Sequence, residues 1–90
     1  MSIEFDEDKR DWTLKHRRLD MAKAAAIFDG FHMSREDDRE DYGEVRVVTL
    51  GRMGRKIVVC VWTERADNRR IISLREAEKD EREIYNFYRP

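Results

Sequence analysis

Three apolar runs stand out of a polar chain: EVRVVTL (44–50), KIVVCVW (56–62) and RRIISL (69–74). Each is six or seven residues long, rich in β-branched side chains and followed by turn residues, which is how strands read. The stretch Ile57 to Trp62 has no polar residue at all, so it is expected to be the central strand, covered on both faces for much of its length. Turns at Gly51-Arg52-Met53-Gly54 and around Glu64 to Asn68 are short enough for an antiparallel meander.

Helical periods flank these strands. Asp6 is a plausible N-cap, and Glu7 and Asp8 suit the positive end of a helix dipole, which predicts a first helix from Asp6 to about Arg17 with a thin apolar face of Trp12 and Leu14. Asp20 caps a second helix in which Met21, Ala24, Ala25 and Phe28 recur at helical spacing before Asp29-Gly30. Its alanines allow close approach to the sheet. Ile3 to Phe5 alternates weakly and suits a short edge strand. From Phe31 to Gly43 the pattern predicts a loop, because Ser34 to Glu44 holds six acids and two arginines without an apolar period. Arg75 to about Phe87 reads as a terminal helix held at one side by Ala77, Ile84 and Phe87 or Tyr88. The expected class is α+β, one domain over residues 1–90: a small antiparallel β-sheet packed with two N-terminal helices and a C-terminal helix.

Charge changes this picture. Of the 90 residues 43% are charged and the formal net charge is −1, yet residues 1–44 carry 8 basic and 13 acidic side chains while residues 45–90 carry 11 and 7. Arg46, Arg52, Arg55, Lys56, Arg65, Arg69, Arg70 and Arg75 crowd into the strand region against Glu64 and Asp67 alone. A cationic sheet seeks polyanions, and RNA is the obvious candidate. The acidic stretch 34–44 would then shield that sheet or dock a basic segment. There is no apolar run of membrane-spanning length and no signal peptide, so a soluble, cytoplasmic product is expected. The single cysteine, Cys60, lies inside an apolar run and reads as a small buried hydrophobe.

Several chemistries find no footing. His16 and His32 are isolated, and no HxxxH, CxxC or DxDxDG spacing occurs, so neither metal nor cofactor is expected. Gly51-Arg52-Met53-Gly54 runs into a strand and not into the GK[ST] of a phosphate loop. Ser73 sits at a strand end with no nucleophile elbow. What remains is phosphodiester chemistry, in which a 2′-hydroxyl attacks the adjacent phosphorus and arginines neutralise the charge that develops on its oxygens. Arg46, Arg65, Arg70 and Arg75 lie on or at the ends of neighbouring strands. Glu44, Glu64, His16 and Tyr85 are the groups that could move protons. Trp62 could stack a base, although its place in an apolar run favours packing.

A pattern runs through these residues: F-D-x-x-K (Phe5, Asp6, Lys9), an A-x-x-F helix end (Ala25 to Phe28), Y-G-E-x-R (Tyr42, Gly43, Glu44, Arg46), V-V-x-V-W-T-x-R (Val58 to Arg65) and R-I-I-S-x-R-x-A-x-x-x-E-R-x-x-Y (Arg70 to Tyr85). It resembles the BrnT toxin family of type II toxin-antitoxin systems. The resemblance implies a RelE-like fold and a metal-independent endoribonuclease that suppresses translation. It also implies a BrnA-like ribbon-helix-helix antitoxin, through which operator DNA would be contacted. Carried over, catalysis falls on Arg65, Arg70, Arg75, Glu44 and Tyr85, and RNA binding on Arg46, Arg52, Arg55, Lys56, Arg82 and His16. The chain departs from the family where an Asn and then Lys-His are usual late in the first helix: Thr13, His16 and Arg17 stand there, and Arg18 replaces a glycine. The competing expectation is a non-catalytic subunit that binds nucleic acid or a partner within a repressor complex.

Overall fold

In a computed structural model, which describes residues 1–39, 41 and 43–90, the apolar run of 57–62 lies in the middle of a five-stranded sheet. The elements are β1 (Ile3–Glu4), α1 (Glu7–Arg17), a 3-10 turn (Met21–Lys23), α2 (Ala25–Asp29), β2 (Met33–Glu36), β3 (Val47–Met53), β4 (Lys56–Arg65), β5 (Asn68–Glu76) and α3 (Lys79–Tyr88). Sheet order is β1-β5-β4-β3-β2. The meander β2 to β5 is antiparallel, while β1 joins β5 in parallel, so the sheet is mixed and not purely antiparallel.

The caps form where side-chain chemistry calls for them. Asp6 accepts from the Asp8 amide at 3.1 Å and Asp20 from the Ala22 amide at 2.9 Å, each filling one of the amides a helix start leaves unpaired. Asp20 opens a 3-10 turn, however, and the expected second helix is divided into that turn and the short α2. The pieces are laid on one sheet face. There Leu19, Met21, Ala24 and Ile27 pack with Val58, Cys60, Ile71 and Leu74, all essentially excluded from solvent. Cys60 lies at the centre of this layer, where burial pushes its thiol up to about 12 and removes it as a nucleophile. α1 runs beside β5, where Thr13 is buried and Arg17 Nη1 donates to the Leu74 carbonyl at 2.9 Å.

Three expectations are corrected. The acidic stretch contains β2, whose backbone pairs with β3 from Met33↔Leu50 to Glu36↔Val47; backbone pairing overrides its polar composition. The third strand runs on through Arg75 to Glu76, and α3 starts at Lys79 behind a Glu78–Glu81 capping box. The buried side chain of α3 is Tyr85, 3% exposed and set against Phe31, whereas Ile84, Phe87 and Tyr88 remain largely open. The β3–β4 hairpin turns at Gly54 and not at Gly51. Gly51 is a strand residue under α2, where an added Cβ would lie 2.6 Å from Ile27 Cγ2.

Two of these details set stability. Arg18, the C-cap of α1, has φ 57°, a left-handed conformation that costs a non-glycine residue roughly 1–2 kcal/mol. Arg18→Gly is expected to raise stability by about 1 kcal/mol, read as a higher urea midpoint at unchanged slope. Gly51→Ala is expected to lose about 1–3 kcal/mol in the same measurement, because Ile27 has nowhere to retreat.

Candidate nucleic-acid interface

A regular strand places residues five apart on opposite faces, which would separate Arg70 from Arg75. The β4–β5 ladder does otherwise. Val61 pairs with Ser73 and Trp62 with Ile71, so Ile72 is an extra residue, a β-bulge. Beyond it Arg70 pairs with Thr63 and Arg75 with Val59, four residues apart on β4 and therefore on one face. The bulge turns both arginines to the side away from α2, about 13 Å apart along the strand.

Arg65, on β4 beside the β4–β5 turn, shares that face. Arg46 enters it next to Thr63, whose hydroxyl donates to the Val45 carbonyl at 2.7 Å. Arg35 joins from β2, opposite Val48 and hence in line with Val61 and Ser73. The residue pattern placed Arg35 within an acidic loop, and with one apolar residue in four the segment MSRE carries no signal of a strand. On the same face Val48, Leu50 and Val59 floor a depression of about 320 Å³ bounded by Met33, Ser34, Arg35, Glu81 and Ile84. Arg35 is the arginine that lines this depression.

Carboxylates of the chain itself meet three of these arginines. Arg75 makes a bidentate pair with Glu81 at 2.8 and 2.9 Å; Arg70 lies 3.6 Å from Glu4, and Arg46 3.6 Å from Glu44. Hydrogen bonds from Arg75, aided by the Glu78 amide and the charges of Arg75 and Arg35, hold Glu81 down to about 2, well below its usual range. The same bonds raise Arg75 further, against the opposing effect of burial and a smaller one from the charge of Arg39. Arg39 is itself gripped by the buried Asp37 at 2.8 and 2.9 Å, so part of the acidic stretch is neutralised locally.

The other candidates lie elsewhere. Arg69 faces the helices, its guanidinium 3.8 Å from the Phe28 ring centroid and 5.0 Å from that of Trp62. Its Nε is buried with no hydrogen-bond partner among the described residues, and the two rings supply a compensating attraction. Trp62 is committed to packing, with its indole N–H on Thr49 Oγ1 at 2.8 Å. Arg52 sits at the far end of the arginine face opposite Ile57, Arg55 in the hairpin turn, and Lys56 on the helix side with Arg18, Asp20 and Lys23. Arg82 donates to the Ala77 carbonyl at 2.8 Å. Tyr85 is buried, and its hydroxyl donates to the Phe31 carbonyl at 3.2 Å. His16 stacks on Trp12 along α1 with centroids 4.8 Å apart. Tyr42, part of the Y-G-E-x-R pattern, lies outside the described residues. Among the described residues no three His, Cys, Asp or Glu side chains converge as metal ligands, and no helix is long and apolar enough to cross a membrane.

With this geometry in place, residues 5–81 match the family model described as ribonuclease toxin, BrnT, of type II toxin-antitoxin system. The chain belongs to the BrnT family. It is a ribonuclease toxin with an antitoxin partner, and no curated protein matches it. The BrnT match ends on Glu81, the carboxylate that holds Arg75.

The paired carboxylates predict that stability falls in acid. Glu81 falls from 4.5 to about 2, and Asp20, hydrogen-bonded by Arg10 and the Ala22 amide, from 3.8 to about 2. Both are depressed in the folded state, so their contribution is complete above the unfolded values and is lost as pH falls through about 4.5 towards 2. Thermal unfolding followed across that window is expected to show a falling midpoint, and the Asp20→Asn/Glu81→Gln variant a flatter one.

Proposed function

We propose that this chain cleaves RNA without a metal ion, by attack of a 2′-oxygen on the neighbouring phosphorus across the open sheet face. The observation that carries the reading is the bulge at Ile72, which sets Arg70 and Arg75 on the face that Arg46 and Arg65 share. The P–O5′ bond breaks, leaving a 2′,3′-cyclic phosphate and a 5′-hydroxyl. The proton of the 2′-hydroxyl passes to a base, and one is delivered to the departing 5′-oxygen. Arginine forks stabilise the extra charge on the phosphoryl oxygens. Glu44 beside Arg46 is our choice for proton transfer, since Glu81, held near 2, is a weak base. Tyr85 is tied to a carbonyl inside the fold and serves packing. Cleavage of RNA in the cytoplasm would arrest translation, and a BrnA-like antitoxin would neutralise the toxin and carry any contact with operator DNA.

A second reading, a binding subunit without catalysis, is favoured by one observation: neither histidine lies on the arginine face, and Arg46, Arg70 and Arg75 each have a carboxylate of the chain nearby. The two readings separate in a single experiment. Induced expression in bacterial cells without antitoxin is expected to stop growth with loss of intact RNA. Arg70→Ala or Arg75→Ala, equally well expressed, is expected to abolish the arrest and to slow cleavage by about a hundredfold or more. Salt-dependent RNA binding with no cleavage product would leave the binding reading in its place. Neutralisation of four phosphates by Arg46, Arg65, Arg70 and Arg75 gives a slope of about −3 for log affinity against log salt on single-stranded RNA, and each arginine removed reduces that slope by roughly one phosphate's share.

A further inference from the structure

Glu81 has so far entered only as the partner of Arg75, yet its geometry does more than neutralise a charge. Its Oε1 accepts both Arg75 Nη1 and the Glu78 amide at 2.8 Å, and its Oε2 accepts Arg75 Nη2 at 2.9 Å. The carboxylate is therefore fixed by the first turn of α3 before it grips the guanidinium. The grip is end-on: it uses the facing N–H groups of the two terminal nitrogens. The second N–H of Nη1 leans towards the Glu76 carbonyl at 3.4 Å.

One edge of the planar group is left over. The Nε–H and the outer N–H of Nη2 point the same way as a second fork, and among the described residues they donate to no atom of the protein. The Arg75 side chain is 40% exposed, and its Nε is not among the buried atoms left without a partner. Arg35 stands at the rim of the same depression as Glu81. A guanidinium held by its end cannot rotate, and a fixed planar fork matches the oxygens of a phosphodiester.

We infer that Glu81 is a positioning residue for Arg75: it clamps the guanidinium by its end and presents the Nε–Nη2 edge to two oxygens of an RNA phosphate. This rests on reading the arginine face as a site of RNA cleavage. Glu81 touches no reacting atom, so its effect passes through Arg75 and is absent where Arg75 no longer offers a fork.

The test is single-turnover cleavage of an end-labelled single-stranded RNA by the purified chain, beside binding of its 2′-O-methylated counterpart, which lacks the attacking hydroxyl. Glu81→Ala is expected to slow cleavage on the order of tenfold to a hundredfold, the scale of a misplaced catalytic group, with little change in affinity for the methylated RNA. Glu81→Gln, which keeps an acceptor and is the less disruptive change to the fold, recovers part of the rate. In an Arg75→Lys background, Glu81→Ala brings little further loss. A Glu81→Ala chain that is folded by circular dichroism and cleaves as fast as wild type, or faster, overturns the inference, as does an equal further loss in the Arg75→Lys background. A wild type that cleaves no RNA overturns the ribonuclease reading beneath it, an outcome distinct from a cleaving wild type matched by its Glu81 variant.

Discussion

The constraint on which the arrangement depends is parity along β5. A pleated strand alternates its side chains, so inserting one residue at Ile72 reverses the assignment of every residue on one side of it. On the turn side of the bulge, Ile71 and Arg69 face the helices, and Arg70 faces the open side. Beyond it Leu74 faces the helices with Cys60, and Ser73 and Arg75 pair with Val61 and Val59 on the other face. Were Ile72 paired as a regular ladder residue, Leu74 would leave the core and Arg75 would turn towards it. The bulge lets one strand satisfy a hydrophobic layer at both of its ends and still hold two arginines on one surface.

The two faces of the sheet handle positive charge differently. On the helix side Arg69 is desolvated and held against the rings of Phe28 and Trp62. On the other side the arginines remain partly hydrated and meet carboxylates supplied by β1, by the segment before β3 and by α3. Cations grouped on one face repel one another, and each nearby carboxylate offsets part of that repulsion. Arg46 and Arg70 lie 3.6 Å from Glu44 and Glu4. The pair of Arg75 is short, bidentate and tied to a helix start.

Much of this was legible in the residues. The unbroken apolar run of 57–62 identified the middle strand, Asp6 and Asp20 marked the caps, and the arginine-rich motifs at 65–75 pointed to the sheet face. What was hidden depends on pairing. β2 is short and charged, and nothing in MSRE signals a strand until β3 is beside it. Arg69 and Arg70 are neighbours with identical chemistry, and only the register shows that one is packed under a helix and the other is exposed. Gly51 resembled a turn glycine because turns are the commoner use of glycine; its actual role, making room for Ile27, is a tertiary fact. Glu81 was visible in the R-I-I-S motif but carried no hint of a partner until the third strand was seen to continue through Arg75.

The bond from Arg17 to the Leu74 carbonyl concerns more than the packing of α1. β1 pairs only with residues 69 and 70, so most of the outer margin of β5 would otherwise offer bare peptide groups to any extended chain. Arg17 caps one of those carbonyls, and α1 stands along the margin. At the opposite side β2 is four residues long, with Ser34, Arg35 and Glu36 exposed. Both margins thus carry devices that oppose edge-to-edge polymerisation, which a small sheet with so apolar a middle strand would otherwise invite.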